Sequence, residues 1–397
     1  MRTQTDYDVV VVGGGPSGAT AAHDLACAGY KVMLLDKAGR IKPCGGAVPP
    51  RLLKDFDIPQ NMLVAHAKSA RIIAPSNKKV MMPVGDGYVG MVDRDSFDEW
   101  LRNRAAESGA TRVTGKCERV DDSDTVVKLS YRSDRNGELQ TVTTRSVIGA
   151  DGARSSVAAQ CLKDAERVKC VYAYHEIVEV PDNHSEDYDP TRCDVYYQGH
   201  LSPDFYAWIF PHGKTASIGL GSADKGFPLR ETTRLMREQT GLSHWKTLRR
   251  EGAPIPLKPL KRWDNGKNVV VAGDAAGVVA PSSGEGIYYA MTAGRMSADA
   301  VSAFLKSGNP SALRLARKSF MKAHGRVFWI LGVMQYFWYK NDKRRERFVK
   351  MCEDPDVQRL TWEAYMNKQL VRRDPMAHIR IFFKDLGHLF GLKPVER

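Results

Sequence analysis

Tyr7-Asp8-Val9-Val10-Val11-Val12 runs straight into Gly13-Gly14-Gly15-Pro16-Ser17-Gly18, and Val32-Met33-Leu34-Leu35-Asp36 follows a short distance on. The first run is apolar and β-branched throughout, the pattern of a central parallel strand buried on both faces. Residues 16–28 then place Ala19, Ala22, Leu25 and Ala26 at helical spacing, Gly29 supplies a C-cap, and Val32–Leu35 reads as a second buried strand. Together they form a βαβ unit of about 30 residues. Gly13, Gly15 and Gly18 are its GxGxxG glycines. Gly13 permits the tight turn, Gly15 lets the backbone approach a pyrophosphate, and Gly18 lets the helix pack on the strand, while Pro16 and Ser17 start the helix whose N-terminus faces the phosphates. Asp36, 18 residues past Gly18, stands where it accepts ribose hydroxyls. Lys37 follows it without a basic run, so nothing here provides for a 2'-phosphate. The unit binds a dinucleotide, and at this point FAD and NAD both fit.

Two later segments decide between them. Val147-Ile-Gly-Ala-Asp-Gly152 and Val269-Val-Val-Ala-Gly-Asp274 are each a buried strand ending in a Gly/Asp pair. That is what a chain needs where it returns to the same nucleotide and offers amides and a carboxylate, here from Asp151, Gly152, Gly273 and Asp274. With the first fingerprint they resemble the three FAD-contacting motifs of the flavoprotein group that contains the aromatic hydroxylases and the geranylgeranyl reductases. The expected cofactor is FAD. Gly219-Leu220-Gly221 also follows a strand, but no helix and strand complete it. NADPH is therefore expected to dock transiently on the FAD domain.

Between these motifs the α/β regularity is lost. Asp95–Glu107 reads as a helix, 112–114 as a short strand, 125–131 and 139–144 as a hairpin around Asn136-Gly137, and 147–150 as a further strand. From about 165 to 262 the segments alternate and are rich in aromatic residues. Strands are expected near 169–179, 193–199, 205–211 and 215–220, the last two joined by a turn at His212-Gly213. A helix is expected from about 284 to 305, and residues beyond about 310 read as helical. The fold class is α/β: a Rossmann-type FAD-binding domain (1–62, 88–164 and 263–308), an antiparallel-sheet substrate domain (63–87 and 165–262) and a helical C-terminal region (309–397).

Lys42-Pro43-Cys44-Gly45-Gly46-Ala47-Val48-Pro49-Pro50 lies just after the βαβ unit, where the chain can pass over a flavin ring. This segment is similar to that of the geranylgeranyl reductases of chlorophyll and bacteriochlorophyll synthesis, as are Ser202–Pro211, Gly273–Tyr288 and Asp354–Leu360. The resemblance covers essentially the whole chain. It implies a hydroxylase/geranylgeranyl reductase-like fold and an NADPH-dependent FAD enzyme that saturates three C=C bonds of a geranylgeranyl chain, on a pigment or as the diphosphate, to give a phytyl chain. Bacteriochlorophyll is the preferred pigment. The flavin hydroxylases usually carry a His after Gly-Asp-Ala-Ala, where this chain has Gly277. The alternative reading is a flavin monooxygenase acting on an aromatic or polyprenyl substrate.

Saturating an isolated alkene takes a hydride on one carbon and a proton on the other, with no oxyanion to stabilise, so positioning and a nearby acid must carry the catalysis. Cys44 is the candidate acid, and a small residue shaping the flavin pocket is the other reading of it. Gly45, Gly46 and Ala47 are the adjoining cofactor candidates. Tyr206, Trp208 and Phe210 alternate along a strand and so share a face. With Pro211 they are the substrate candidates, read by resemblance as an apolar wall facing the flavin and otherwise as ordinary sheet packing. Glu285 reads as a helix cap, whereas Gly284, Gly286 and the Ile287 amide read as flavin contacts. Arg94 matches an Arg of the family that approaches FAD.

The chain has 397 residues and a formal net charge of +13, which calls for an anionic partner. Much of the excess lies in Lys340–Lys350 and Lys368–Arg373, outside any nucleic-acid-binding module, so no nucleic acid is expected. Seven scattered cysteines without CxxC spacing argue for a reducing, cytoplasmic setting and against a metal site. The N-terminus shows no signal core, and Val327–Tyr339, the longest apolar stretch, is too short to span a bilayer, so no transmembrane helix is expected. In Met376–Leu392, Ile379, Phe382, Phe383, Leu386, Leu389 and Phe390 share one helical face. Such a helix suits peripheral contact with an anionic photosynthetic membrane or a cap over the protein's own core.

Overall fold

A computed structural model describes residues 4–37, 41–42, 44–133, 136–163, 165, 168–183 and 187–368. Met376–Leu392 lies outside the described residues. The chain divides into two compact units, Met1–Cys44 with Asp93–Tyr172 and Ala253–Gly332, and Gly45–Val92 with Ala173–Gly252 and Val333–Arg397. Residues 45–62 thus cluster with the second unit, because the strand Ala47–Val48 pairs with Val89–Met91, which also pairs with Ala65–Ala67.

The first unit is built on a seven-stranded sheet in the order Thr111–Thr114, Val32–Asp36, Tyr7–Val12, Gln140–Gly149, Val127–Arg132, Lys116–Asp121, with Val269–Val271 also paired to Gln140–Gly149. The segments expected as separate strands at 139–144 and 147–150 are one ten-residue strand. Its first half takes Val127–Arg132 antiparallel and its second half takes Val269–Val271 parallel, so a single strand serves as edge for a hairpin and centre for the nucleotide fold. The register sets Val12 beside Gly149 and Gly149 beside Val271. Three strands therefore end side by side, and the three glycine turns open at the same edge. The helix Pro16–Cys27 packs on Ile287–Ser307. The approach is close because a Cβ at Gly294 would stand 2.1 Å from Ser17 O.

The second unit carries a seven-stranded sheet in the order Thr247–Pro256, Cys170–Glu179, Thr215–Ser222, Ala207–His212, Arg192–Tyr196, Ser69–Ile73, Lys79–Pro83. It is mixed and not purely antiparallel as expected, since Arg192–Tyr196 runs parallel to Ser69–Ile73. Residues far apart in sequence meet there, and no local pattern announces such a pairing. One face packs Ala207, Ile209, Ala216, Ile218 and Leu220 against the helix Leu229–Gln239 through Met236. By alternation the other face carries Trp208 and Phe210. Phe210 packs against a cluster of Ala67, Val89, Met91 and Cys193, which Trp362, Tyr365 and Met366 of the helix Pro355–Asn367 also cover. No described helix is long and apolar enough to cross a membrane.

Candidate cofactor and substrate sites

At the first glycine turn the geometry leaves no freedom. Gly13 has φ +103°, and a Cβ on it would stand 2.3 Å from Ala150 O. One on Gly18 would stand 1.8 Å from Gly13 O, whereas one on Gly15 would meet nothing within 4 Å. The open side at Gly15 is a cradle at the start of the helix Pro16–Cys27, which has no side-chain cap and no acid in its first turn. Its leading amides thus suit a phosphate anion. Ser17 is 5 % exposed and its hydroxyl has no hydrogen-bond partner among the described residues. A buried orphan hydroxyl costs about 1–3 kcal/mol, and a pyrophosphate oxygen would satisfy it.

Asp36 ends its strand as expected, and a Gly14 Cβ would fall 2.8 Å from its Oδ2. Burial pushes its carboxyl up, against the Gly14 amide and Arg102, which favour the charged form. Arg102 Nη1 lies 3.3 Å from both Asp36 Oδ2 and Gly14 O, and its Nη2 is held by Glu99 Oε2 at 2.9 Å. Arg102 is a residue of this site that the sequence reading passed over. Lys37, next to Asp36, is exposed.

The second and third turns differ in how their acids are used. Asp151 accepts hydrogen bonds from Ser156 N at 2.7 Å and Ser156 Oγ at 2.9 Å, and also from Ser155 Oγ, so its carboxylate caps the helix Ser156–Cys161. Gly152, with φ +90° and nothing within 4 Å of its missing Cβ, is the open position there. Gly273 lies against Ser17, its absent Cβ 2.7 Å from that of Ser17, and joins the first and third turns. Asp274 pairs with Lys42, the first residue of the segment that carries Cys44. Gly277 has φ +80°, and a Cβ there would lie 2.2 Å from Lys258 O, so a histidine at this point is excluded on steric grounds. Glu285 Oε1 accepts the Tyr288 amide at 3.3 Å, a cap three residues on. Gly284 has φ +65°, and Gly286 precedes the helix at Ile287 without a side-chain cap of its own.

Arg94 is 6 % exposed and gives Nε and Nη2 to the two Asp98 oxygens, each at 2.7 Å. Burial works against its charge. The Asp98 carboxylate and a hydrogen bond to the Cys44 sulfur outweigh that and raise its affinity for the proton. The guanidinium is thus clamped beside the Cys44 sulfur.

In the second unit Gly45 and Gly46 are gripped by one strand. A Cβ on Gly45 would stand 2.8 Å from the Phe210 ring. Gly46 has φ +73°, and its Cβ would stand 2.6 Å from His212 Cε1. The His212 Nε2 lies 3.1 Å from Gly45 O. His212, expected only at a turn, thus also reaches this segment. Ala47, next along, begins the short strand paired to Met91. The Tyr206–Trp208 and Trp208–Phe210 ring centroids are 5.9 Å and 6.2 Å apart, so these three residues form one aromatic row. Pro211 does not join them, since strand alternation puts it on the face of Ala207 and Ile209. Gly219 pairs with Trp208, and its absent Cβ leaves the space that Trp208 Cζ2 fills, at 2.6 Å. A glycine set aside as a failed nucleotide motif is there to seat an indole. Among the described residues no group of three or more His, Cys, Asp or Glu could hold a metal ion, and no disulfide joins any of the seven cysteines.

A cradle of this kind, with an orphan hydroxyl and uncapped helix amides at three converging strand ends, defines a dinucleotide-binding flavoprotein. Residues 6–318 match the FAD binding domain family. The chain is 56% identical over 390 residues to a geranylgeranyl diphosphate reductase of Rhodobacter capsulatus, covering 98% of this chain and 99% of that one. It is 34% identical to one from Synechocystis over 96% of this chain and 97% of the other. The chain belongs to the geranylgeranyl diphosphate reductase family of FAD-dependent oxidoreductases. A geranylgeranyl bacteriochlorophyll reductase-like protein from Thermoplasma acidophilum has the same fold, with TM-score 0.80 and 24% identity over 94% of this chain and 99% of that chain.

Proposed function

We propose that the protein uses NADPH and bound FAD to saturate three C=C bonds of a geranylgeranyl chain, carried on bacteriochlorophyll or chlorophyll or as the free diphosphate, giving a phytyl chain. The near full-length identity to the Rhodobacter capsulatus relative carries this reading. Bound FAD, once reduced by NADPH, would supply the hydride that the alkene needs. Gly15, Ser17, the first turn of Pro16–Cys27 and Gly152 would hold its phosphates, Asp36 its ribose, and Gly273, Gly284, Gly286 and Ile287 its remaining backbone contacts. Cys44 delivers the proton to the second alkene carbon. Arg94, clamped by Asp98, compensates the charge left on its sulfur. Tyr206, Trp208 and Phe210 form the apolar wall along which the prenyl chain lies.

NADPH is placed on the FAD-binding domain without a second nucleotide fold, since only one glycine fingerprint is complete. The working place is the cytoplasmic side of the photosynthetic membrane, where pigment-linked prenyl chains reside and where the surplus positive charge is useful.

The test is anaerobic incubation of the FAD-loaded protein with NADPH and either geranylgeranyl diphosphate or geranylgeranyl bacteriochlorophyll, with products followed by mass. Stepwise gain of two hydrogens is expected. Product formed only with O₂ and carrying added oxygen would refute the reading. Cys44→Ser separates the two roles of the thiol: normal single-turnover reduction by pre-reduced flavin would eliminate it as the proton donor.

A further inference from the structure

Trp208 is tied into a chain of polar groups that neither the nucleotide cradle nor the Cys44 turn uses. Its indole Nε1–H donates to Ser217 Oγ at 3.0 Å. Ser217 Oγ lies 2.8 Å from His175 Nδ1, and His175 Nε2 lies 2.9 Å from Glu251 Oε2. Glu251 forms an ion pair with Arg249. Ser217 is fully buried, the His175 and Glu251 side chains are 3% and 10% exposed, and that of Arg249 is 35% exposed, so the chain leads from the sheet interior to water.

An indole nitrogen only donates, so Ser217 Oγ accepts from it. Between Ser217 Oγ and His175 Nδ1, and between His175 Nε2 and Glu251, the hydrogen bond runs in the direction the imidazole tautomer sets. Trp208, Ser217, His175 and Glu251 are thus joined partner to partner, which is the condition for a buried network to rigidify its surroundings. Serine, histidine and glutamate here follow the order of a hydrolytic triad. Yet the hydroxyl is buried and already takes the Trp208 hydrogen, so it is no nucleophile.

The sheet is shaped around this contact. Gly219, opposite Trp208 in the register, is the neighbour whose missing side chain admits the ring, and a Cβ there would also stand 2.4 Å from the Cβ of His175. Space on one side and a hydrogen bond on the other leave the indole one orientation.

We propose that Ser217, His175 and Glu251 are positioning residues that lock the Trp208 ring as the surface against which the prenyl chain is registered. An isoprenoid has no polar group along its length to be held by, so the shape of a rigid wall must decide which double bond is presented. This rests on the reading of Trp208 as substrate wall.

The test uses the full-length FAD-loaded chain labelled with 5-fluorotryptophan, the Trp208 resonance being assigned from Trp208→Phe among the seven tryptophans. Ser217→Ala and Glu251→Gln are both expected to move that resonance and leave the others in place. Both should raise the KM for geranylgeranyl diphosphate about tenfold, the size expected for one buried hydrogen bond, with the KM for NADPH unchanged. Glu251→Gln is isosteric and nearer the solvent, so it keeps the test standing where Ser217→Ala does not fold. An unmoved Trp208 resonance overturns the proposal. A moved resonance with an unchanged prenyl KM upholds the anchoring of the ring and overturns the substrate-wall reading instead.

Discussion

Replacing Gly46 by alanine puts a methyl group where the turn after Cys44 has none to spare. The residue has φ +73°, and the new carbon would lie 2.5 Å from Val92 O and 2.6 Å from His212 Cε1. The left-handed conformation alone costs an L-residue about 1–2 kcal/mol. Forcing a methylene into packed surroundings adds about 1–3 kcal/mol, and neither neighbour can retreat cheaply. Val92 is bound through its amide to Gly46 O at 2.9 Å, and His212 is anchored on Gly45 O. Gly46→Ala should therefore cost roughly 2–5 kcal/mol. Gly85 provides the control within the same unit: its φ is +78°, but nothing lies within 4 Å of its missing Cβ. Gly85→Ala should lose only the conformational part, so the two variants should differ by about 1–3 kcal/mol. Urea unfolding of the FAD-loaded protein, comparing midpoints at equal slope, measures that difference. Flavin reduction by NADPH should persist in folded Gly46→Ala while transfer to the alkene slows, because the displaced turn carries Cys44. If Gly46→Ala unfolds no earlier than Gly85→Ala, the grip of His212 and Val92 on this turn is not what the distances imply.

Gly18→Ala places a carbon 1.8 Å from Gly13 O and should yield protein purified almost without flavin; a stoichiometric flavin content would contradict the cradle. Ser17→Ala removes a buried hydroxyl that has no partner among the described residues. Thermal stability of the flavin-free form should hold or rise slightly, while FAD affinity falls about three- to tenfold; a loss of stability without FAD would show that the hydroxyl serves the fold. Arg112, with Arg102, holds the Glu99 carboxyl at about 2, below its usual 4.5. A depressed folded value stabilises above the unfolded one, so this contribution is complete above about pH 4.5 and fades as pH falls toward 2. Glu99→Gln should flatten the stability profile in that window alone, as followed by flavin fluorescence during acid titration. Arg94→Lys keeps the charge but loses the two-point hold on Asp98, so it should slow alkene reduction far more than NADPH-dependent flavin reduction; equal slowing of both half-reactions would deny Arg94 a role at Cys44.

The nucleotide fold was legible because its constraints are local. A buried strand, three glycines at fixed spacing and a carboxylate one strand later each follow from backbone geometry within about 30 residues. Cys44, Gly45 and Gly46 stood out in the same way, through unusual residues in one short run. The row Tyr206, Trp208, Phe210 followed from alternation alone, which also removes Pro211 from it.

What the chain alone could not disclose is which side chains meet from distant segments. Arg102 reaches Asp36, Lys42 reaches Asp274, His212 reaches Gly45, and Ser217 with His175 reaches Trp208. None of these pairs has a spacing to betray it, because strand register and helix packing bring them together. The parallel pairing of Ser69–Ile73 with Arg192–Tyr196 is of the same kind. The sequence by itself determined the dinucleotide cradle and singled out the Cys44 turn, because their glycines stand at fixed spacing in short runs. Only the tertiary structure decided that Asp151 caps a helix, that Gly219 seats an indole and that Gly277 has no room for a histidine, since each depends on an atom supplied by another part of the chain.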